Sequence, residues 1–103
     1  PAMIERARAR GGDHELTPVP GTPTLWAELR WAAHAEAVVH LDDLLLRRTR
    51  LGNTLPEGAA AILPALRPIC EEELGWDAAT WEAERAAYRA LWRRSYAPPA
   101  TDA

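Results

Sequence analysis

The side chains with chemical potential in this 103-residue chain are one cysteine, three histidines, a run of glutamates and a cluster of arginines. Cys70 with His14, His34 and His40 would be the residues of a thiol nucleophile or of a metal site. Their spacing favours neither, because His34 and His40 are six positions apart, a spacing that does not place two side chains on one helix face. Cys70 also precedes three acidic residues, which would raise the pKa of its thiol. We expect an inert, structural cysteine and no metal.

The acidic run Glu71–Glu73 has residue types that could serve acid–base chemistry or bind a metal. The run is expected at the C-terminal end of a helix, where exposed acidic side chains oppose the helix dipole at small cost. We interpret this run as a solvated surface.

The arginines Arg47, Arg48 and Arg50 could clamp a phosphate or a carboxylate, because guanidinium groups bind such anions through two parallel hydrogen bonds. Alternatively, they compensate the dipole at the end of a helix and form surface ion pairs, such as Asp43 with Arg47 at i,i+4. Both interpretations stay open from the residues alone. Arg48 differs from its neighbours because helical spacing places it on the core-facing line of its helix.

Composition excludes several classes of function. The chain has 12 basic side chains, all arginine, against 15 acidic ones, which gives a formal net charge of −3. This sign argues against general nucleic-acid binding. Without lysine there is no Gly-x-x-x-x-Gly-Lys phosphate loop, and no Gly-x-Gly-x-x-Gly follows a strand, so no dinucleotide site is expected. No apolar run suits a transmembrane segment or a secretory signal.

The sequence predicts one all-α domain, a compact bundle of four to five short helices. Alanine is abundant and strand-forming residues are scarce, so helix propensity is high throughout. Residues 1–23 are expected to hold a short helix, from Ala2 to Arg10, and a strap rich in proline and glycine. Residues 24–96 are expected to form the helical domain, and residues 97–103 a disordered tail.

Apolar periodicity predicts four helices within residues 24–96. The first is expected from Thr24 to about Val39 and the second from Leu41 to Gly52. The third is expected to open at residues 55–58 and to end at Gly75, with a bend or an early break near Leu63. The fourth is expected from Ala78 to about Tyr96, after an Asp77 cap. The last helix carries an aromatic stripe of Trp81, Tyr88, Leu91 and Trp92. This stripe is more typical of core packing than of base stacking.

Two of these helices place a charge on a core-facing line, Glu36 on the first and Arg48 on the second. An unpaired buried charge is costly. We therefore predict a buried or half-buried ion pair between Glu36 and Arg48, with Arg47 as the substitute partner. Removing one partner of such a pair would cost about 3–5 kcal/mol.

Leu46, Arg47 and Arg50 are expected on the side of the same helix that faces away from the core. Leu46 would then be an exposed apolar side chain surrounded by charged ones. Protein interfaces commonly have such an apolar anchor within a polar rim. We predict that these three residues dock the domain onto another part of a larger protein.

Several segments together resemble one family. They are Trp26–Ala33, Glu36–Leu45, Arg47–Gly52 and Glu72–Asp77. These segments are similar to the C-terminal helical domain of FAD-dependent glycerol-3-phosphate dehydrogenases and the related oxidases, and the resemblance covers about residues 18–96. One position departs from the family, whose usual histidine before Glu36 is Ala35 here, with His34 one place early. We therefore assign no role of the family's histidine to this chain.

The resemblance implies a parent enzyme that oxidises sn-glycerol 3-phosphate to dihydroxyacetone phosphate with FAD and passes electrons to quinone. It also implies a cytoplasmic location, peripheral to the inner face of the membrane. In that family the FAD-binding and substrate domains precede this one. The chain opens at Pro1 with Met3 inside it, and we expect a non-catalytic accessory fragment that binds no cofactor and has those domains as partners. The alternative is a free-standing helical interaction module that binds a protein or an acidic partner through Arg47 and Arg50.

Overall fold

Helices account for most of the described chain, which is residues 2–95 of the computed structural model. The α-helices are α1 (Ala2–Arg10), α2 (Trp26–Ala35), α3 (Leu51–Thr54), α4 (Pro56–Ala59), α5 (Leu63–Leu74) and α6 (Ala78–Ser95), with 3-10 turns at Asp13–Leu16 and Ala60–Ile62 and a π-helical turn at Asp43–Arg48. Residues 2–95 form no strand, only an isolated bridge from Pro18 to Leu25. The predicted all-α class is confirmed. The predicted tail at 97–103 lies outside the described residues.

Several helix ends lie where the local sequence predicts them. α1 ends before Gly11, and α5 ends at Gly75, whose φ of 70° is left-handed and suits glycine. α6 begins after Asp77, whose Oδ1 accepts a hydrogen bond of 2.7 Å from the Thr80 N–H. This bond satisfies one of the free N–H groups at the start of the helix. It also lowers the pKa of Asp77.

The helix predicted from Thr24 to Val39 is shorter at both ends, since α2 spans Trp26–Ala35. At its start, the Glu28 carboxylate accepts the Leu25 N–H at 2.7 Å. At its end, Glu36 has extended backbone angles. The Asp43 carboxylate then accepts the N–H groups of Val39 and His40, at 3.0 and 2.9 Å. These bonds take the place of helical ones, so the chain leaves the helix.

The helix predicted from Leu41 to Gly52 is replaced by the π-helical turn and α3. Thr49 donates both its N–H and its hydroxyl to the Leu44 carbonyl, at 3.1 and 2.8 Å, and so closes the wider ring of a π turn. Arg50 follows with a left-handed φ of 60°, and the chain changes direction there.

The segment α4 departs from α-helical geometry, because it contains a left-handed turn before α5. Glu57, Gly58 and Ala59 all have positive φ, a conformation that costs free energy for residues other than glycine. α6 holds this turn in place, because the Tyr88 hydroxyl donates to the Gly58 carbonyl at 2.7 Å. Arg89 Nη1 donates to the Glu57 carbonyl at the same distance. The predicted break near Leu63 is confirmed, since α5 begins at that residue.

The core lies where α2, the π-helical turn, α5 and α6 meet. Its fully buried apolar side chains include Leu29, Leu41, Leu44, Leu45, Leu66, Ile69 and Cys70. Trp81 and Tyr88 of α6 are buried against this cluster, as the core-packing interpretation of the aromatic stripe predicts. Val19 reaches the same core from the proline-rich strap. Within residues 2–95, none of the helices combines the length and hydropathy that crossing a bilayer requires.

The space around two left-handed glycines provides a matched test of this packing. Gly58 and Gly75 have φ of 65° and 70°, but a Cβ on Gly58 would lie 2.7 Å from the Trp92 ring, and a Cβ on Gly75 would meet nothing within 4 Å. Both substitutions to alanine incur left-handed strain of about 1 kcal/mol. We expect Gly58→Ala to lower the unfolding free energy by a further 1–3 kcal/mol or so, because the ring must move. Urea unfolding measures both; equal losses would contradict the packing of Trp92 on this turn.

Candidate functional site

An ion cluster with a buried centre, which we call the Arg30 cluster, joins α1, α2 and α5. Its members are Arg6, Glu15, Arg30, Glu72 and Glu73. The Arg30 side chain is only 2% exposed. Its Nε and Nη2 donate to the two carboxylate oxygens of Glu15 at 2.7 and 2.8 Å. Nη1 donates to Glu73 at 2.8 Å and Nη2 to Glu72 at 2.7 Å. One guanidinium group therefore engages three carboxylates.

The side chain of Glu73 has no exposed surface and binds a second guanidinium group. Arg6 of α1 places Nη2 at 2.6 Å and Nε at 2.8 Å from the Glu73 oxygen that Arg30 leaves free. His34 Nδ1 lies 3.5 Å from the same oxygen. The cluster thereby joins α1, the first 3-10 turn, α2 and α5, and every buried polar side-chain atom among the described residues has a partner.

The electrostatics of the Arg30 cluster are set by burial and by pairing, which act in opposite directions. Burial alone would lower the pKa of Arg30, but the hydrogen bonds to Glu15, Glu73 and Glu72 together raise it above its ordinary value. Burial alone would raise the pKa of Glu73, but the bonds from Arg6 and Arg30 hold it below its ordinary value. Arg30 and Glu73 therefore both remain charged at neutral pH.

The glycine at position 11 is required by this cluster. A Cβ built on Gly11 would overlap the carboxylate of Glu15. The carboxylate thus packs directly on the glycine backbone, and a larger residue would displace the acceptor of Arg30. Gly11 therefore ends α1 and also leaves room for the buried ion pair.

The interpretation of Glu71–Glu73 as a solvated surface is wrong for Glu73, which is buried. Helical spacing could have indicated that Glu73 faces the core. Glu73 lies seven, four and three positions after the buried residues Leu66, Ile69 and Cys70, on the same helix face. Glu15 carried no such signal, since it lies in a 3-10 turn without apolar periodicity.

Glu36 and Arg48 lie close together but are not buried. Arg48 Nη1 is 3.5 Å from Glu36 Oε1, and each side chain is 41% exposed. Glu36 lies beyond the end of α2, so the apolar line from which its burial was expected does not reach it. An exposed pair of this kind contributes about 0.2–1 kcal/mol. The predicted loss of 3–5 kcal/mol therefore does not suit this geometry.

The predicted docking face of Leu46, Arg47 and Arg50 differs in structure from the prediction. Leu46 is partly buried and packs against the core, so the expectation that it faces away from the core is wrong. The wider π turn rotates each successive side chain by a smaller angle than an α-helix does, which carries Leu46 inwards. Arg47 and Arg50 are exposed, and Arg47 Nε lies 3.8 Å from Asp43 Oδ1.

Cys70 and the histidines form no reactive centre among the described residues. Cys70 is fully buried, and burial, with the nearby charges of Glu71 and Glu84, raises the pKa of its thiol to about 12. His40 Nδ1 pairs with Glu84 at 2.8 Å, which raises the pKa of His40. Within residues 2–95, no three His, Cys, Asp or Glu side chains are grouped so as to hold a metal ion.

Comparison with known proteins identifies relatives of this chain. A model of the C-terminal domain of alpha-glycerophosphate oxidase matches residues 2–81. Glycerol-3-phosphate dehydrogenase of Mycobacterium leprae is 34% identical over 76 residues, which are 73% of this chain and 13% of that protein. Glycerol-3-phosphate dehydrogenase 2 of Mycobacterium tuberculosis shows the same identity and coverage. The chain thus spans about 13% of the length of these relatives. No solved structure matched.

Neutralising Glu73 should destabilise the domain strongly. Glu73→Gln removes the charge shared by Arg6 and Arg30 and leaves Arg30 buried with less compensation, so the expected loss is about 3 kcal/mol. Glu72→Gln is the matched control, because Glu72 also binds Arg30 but is 42% exposed, and its loss should stay below about 1 kcal/mol. Urea unfolding distinguishes the two variants. Similar losses would show that burial does not set the strength of these contacts.

Acidification should weaken the domain in a window set by Glu73. Its folded pKa is lowered, so the unfolded chain takes up the proton first as the pH falls below about 4.3, the ordinary value for glutamate. The unfolding free energy should fall from there until the pH passes the folded pKa. Glu73→Gln should flatten this part of the curve of unfolding free energy against pH. Parallel curves for the two proteins would contradict the assignment.

Proposed function

The chain belongs to the family of C-terminal domains of alpha-glycerophosphate oxidase, and we propose that it serves a glycerol-3-phosphate dehydrogenase as its accessory C-terminal domain. The family match over residues 2–81 carries this proposal. The named dehydrogenases support it, because the chain matches a small part of each. The alternative of a free-standing interaction module is not favoured, since these relatives contain the matching segment within a much longer chain.

The enzyme we propose oxidises sn-glycerol 3-phosphate to dihydroxyacetone phosphate with FAD and passes the electrons to quinone. A strand, a glycine-rich turn and a helix N-terminus are the usual cradle for a dinucleotide pyrophosphate. Residues 2–95 contain no strand and therefore lack this cradle, which supports a flavin site outside this chain. We assign the flavin and the substrate to the other domains of the enzyme. A cytoplasmic location with peripheral attachment to the inner face of the membrane is part of the same proposal.

The role we propose for this chain is to pack against the FAD-binding and substrate domains. The docking face would be the end of the π-helical turn, where Arg47 and Arg50 are exposed and Leu46 is partly so. Arg47 is 76% exposed and pairs only loosely with Asp43. Its guanidinium group can therefore bind a carboxylate of another domain without first breaking a strong contact.

The full-length protein that carries this chain provides the test. It should show a flavin absorption spectrum and oxidise sn-glycerol 3-phosphate with an artificial electron acceptor. Arg47→Glu combined with Arg50→Glu should keep the flavin spectrum, because the cofactor lies elsewhere. The same variant should release the C-terminal domain about tenfold faster in limited proteolysis, because two favourable contacts become repulsive.

Arg93→Glu combined with Arg94→Glu is the matched control, since both residues are exposed on α6 and do not belong to the proposed face. This control should digest at the wild-type rate. A full-length protein without flavin or turnover would refute the proposed enzyme. A functional enzyme in which the Arg47 and Arg50 variant digests like the control would refute only the docking face.

A further inference from the structure

A groove of about 540 Å³ runs between α5 and α6, on residues that the proposed docking face does not use. It is lined by Ala60, Leu63, Pro64, Arg67, Trp81, Glu82, Arg85 and Arg89. Leu63 and Trp81 are buried and form its floor, and Ala60 and Pro64 contribute an apolar wall. Three arginines therefore converge on one concave, partly apolar surface of a chain whose net charge is −3.

The three guanidinium groups keep donors available for another molecule. Arg67 Nε donates to Glu71 at 2.9 Å. Arg85 donates through Nε and Nη2 to the Glu82 carboxylate, at 3.1 and 2.9 Å. Arg89 gives Nη1 to the Glu57 carbonyl. Each guanidinium group has five N–H donors, so these acceptors among the described residues leave most of the donors free. An incoming carboxylate would find charged, partly desolvated donors.

The groove also has an apolar part, because Ala60 and Pro64 line it beside the arginines. A polypeptide can place carboxylates and an apolar side chain on such a surface together, whereas a phosphate group has no apolar part. The combination of guanidinium groups and an apolar wall thus suits a peptide better than a small anion.

Apart from Trp81, the α6 side of the groove lies beyond the part of the chain that the family model matches, which ends at that residue. Glu82, Arg85 and Arg89 are therefore features of this chain rather than of the matched family segment. We propose that the groove between α5 and α6 binds an acidic segment of a partner polypeptide, in which carboxylates flank a small apolar side chain. The carboxylates would contact Arg67, Arg85 and Arg89, and the apolar side chain would pack on Pro64.

The proposal can be tested on the 103-residue chain with a fluorescent peptide in which glutamates flank an alanine. Fluorescence anisotropy at low salt should show saturable binding. Arg85→Gln should weaken this binding about tenfold, because one charged hydrogen-bonding group is lost from the groove. Arg93→Gln is the matched control, since it removes the same charge from the same helix outside the groove, and it should bind the peptide as the wild type does. Thermal melting checks that both variants are folded.

Other outcomes would overturn the proposal. No saturable binding of the acidic peptide would remove it altogether. Equal weakening by Arg85→Gln and Arg93→Gln would show diffuse attraction to the charges of α6. Displacement of the peptide by inorganic phosphate, at an ionic strength where chloride has no effect, would show a small-anion site instead.

Discussion

Burying one guanidinium group determines much of the architecture of this domain. Arg30 is almost wholly removed from water, and a charge in that position is stable only when paired and fully hydrogen-bonded. Its partners come from segments far apart in sequence, Glu15 in a 3-10 turn and Glu73 near the end of α5. Glu15 in turn requires a glycine at position 11, and Glu73 recruits Arg6 from α1. One buried charge therefore fixes the positions of four segments.

The turn before α5 is held by packing and by backbone contacts instead. The left-handed turn at residues 57–59 is unfavourable alone, and α6 stabilises it through the hydroxyl of Tyr88 and the guanidinium group of Arg89. Arg89 also lines the groove between α5 and α6. Arg6 and Arg30 are thus engaged in internal ion pairs, whereas Arg47, Arg50 and the arginines of the groove keep donors available. This division suits an accessory domain, which must be stable by itself and still present charge to its neighbours.

The sequence predicted those features that depend on short stretches of chain. Gly11, Gly75 and Asp77 end or begin helices because their own backbone or side chain satisfies the local requirement. The end of α2 and the π-helical turn were not predictable in this way, because each depends on a bond to a residue several positions away. Asp43 binds the N–H groups before it, and Thr49 binds Leu44.

The same limit explains two errors of the sequence-based prediction. The Arg30 cluster was not predicted, and the exposed pair of Glu36 and Arg48 was expected to be buried or half-buried. Helical spacing identifies a core-facing position only if the helix continues through it, and α2 ends before Glu36. Glu73 satisfied the criterion within α5, but its neighbours in the acidic run suggested a solvated surface. Its partner Arg30 lies 43 positions away, and no local pattern connects the two.

The most direct measurement of this organisation is the effect of Glu15→Gln in two backgrounds. Arg30→Met removes the guanidinium group and keeps an apolar stem, which leaves the Glu15 carboxylate buried without a partner. Glu15→Gln should therefore destabilise the wild-type domain, yet stabilise Arg30→Met by about 1 kcal/mol or more, because it neutralises an unpaired buried charge. Urea unfolding of the four proteins gives both values. An equal loss of unfolding free energy in the two backgrounds would contradict the central role of the buried Arg30 pair.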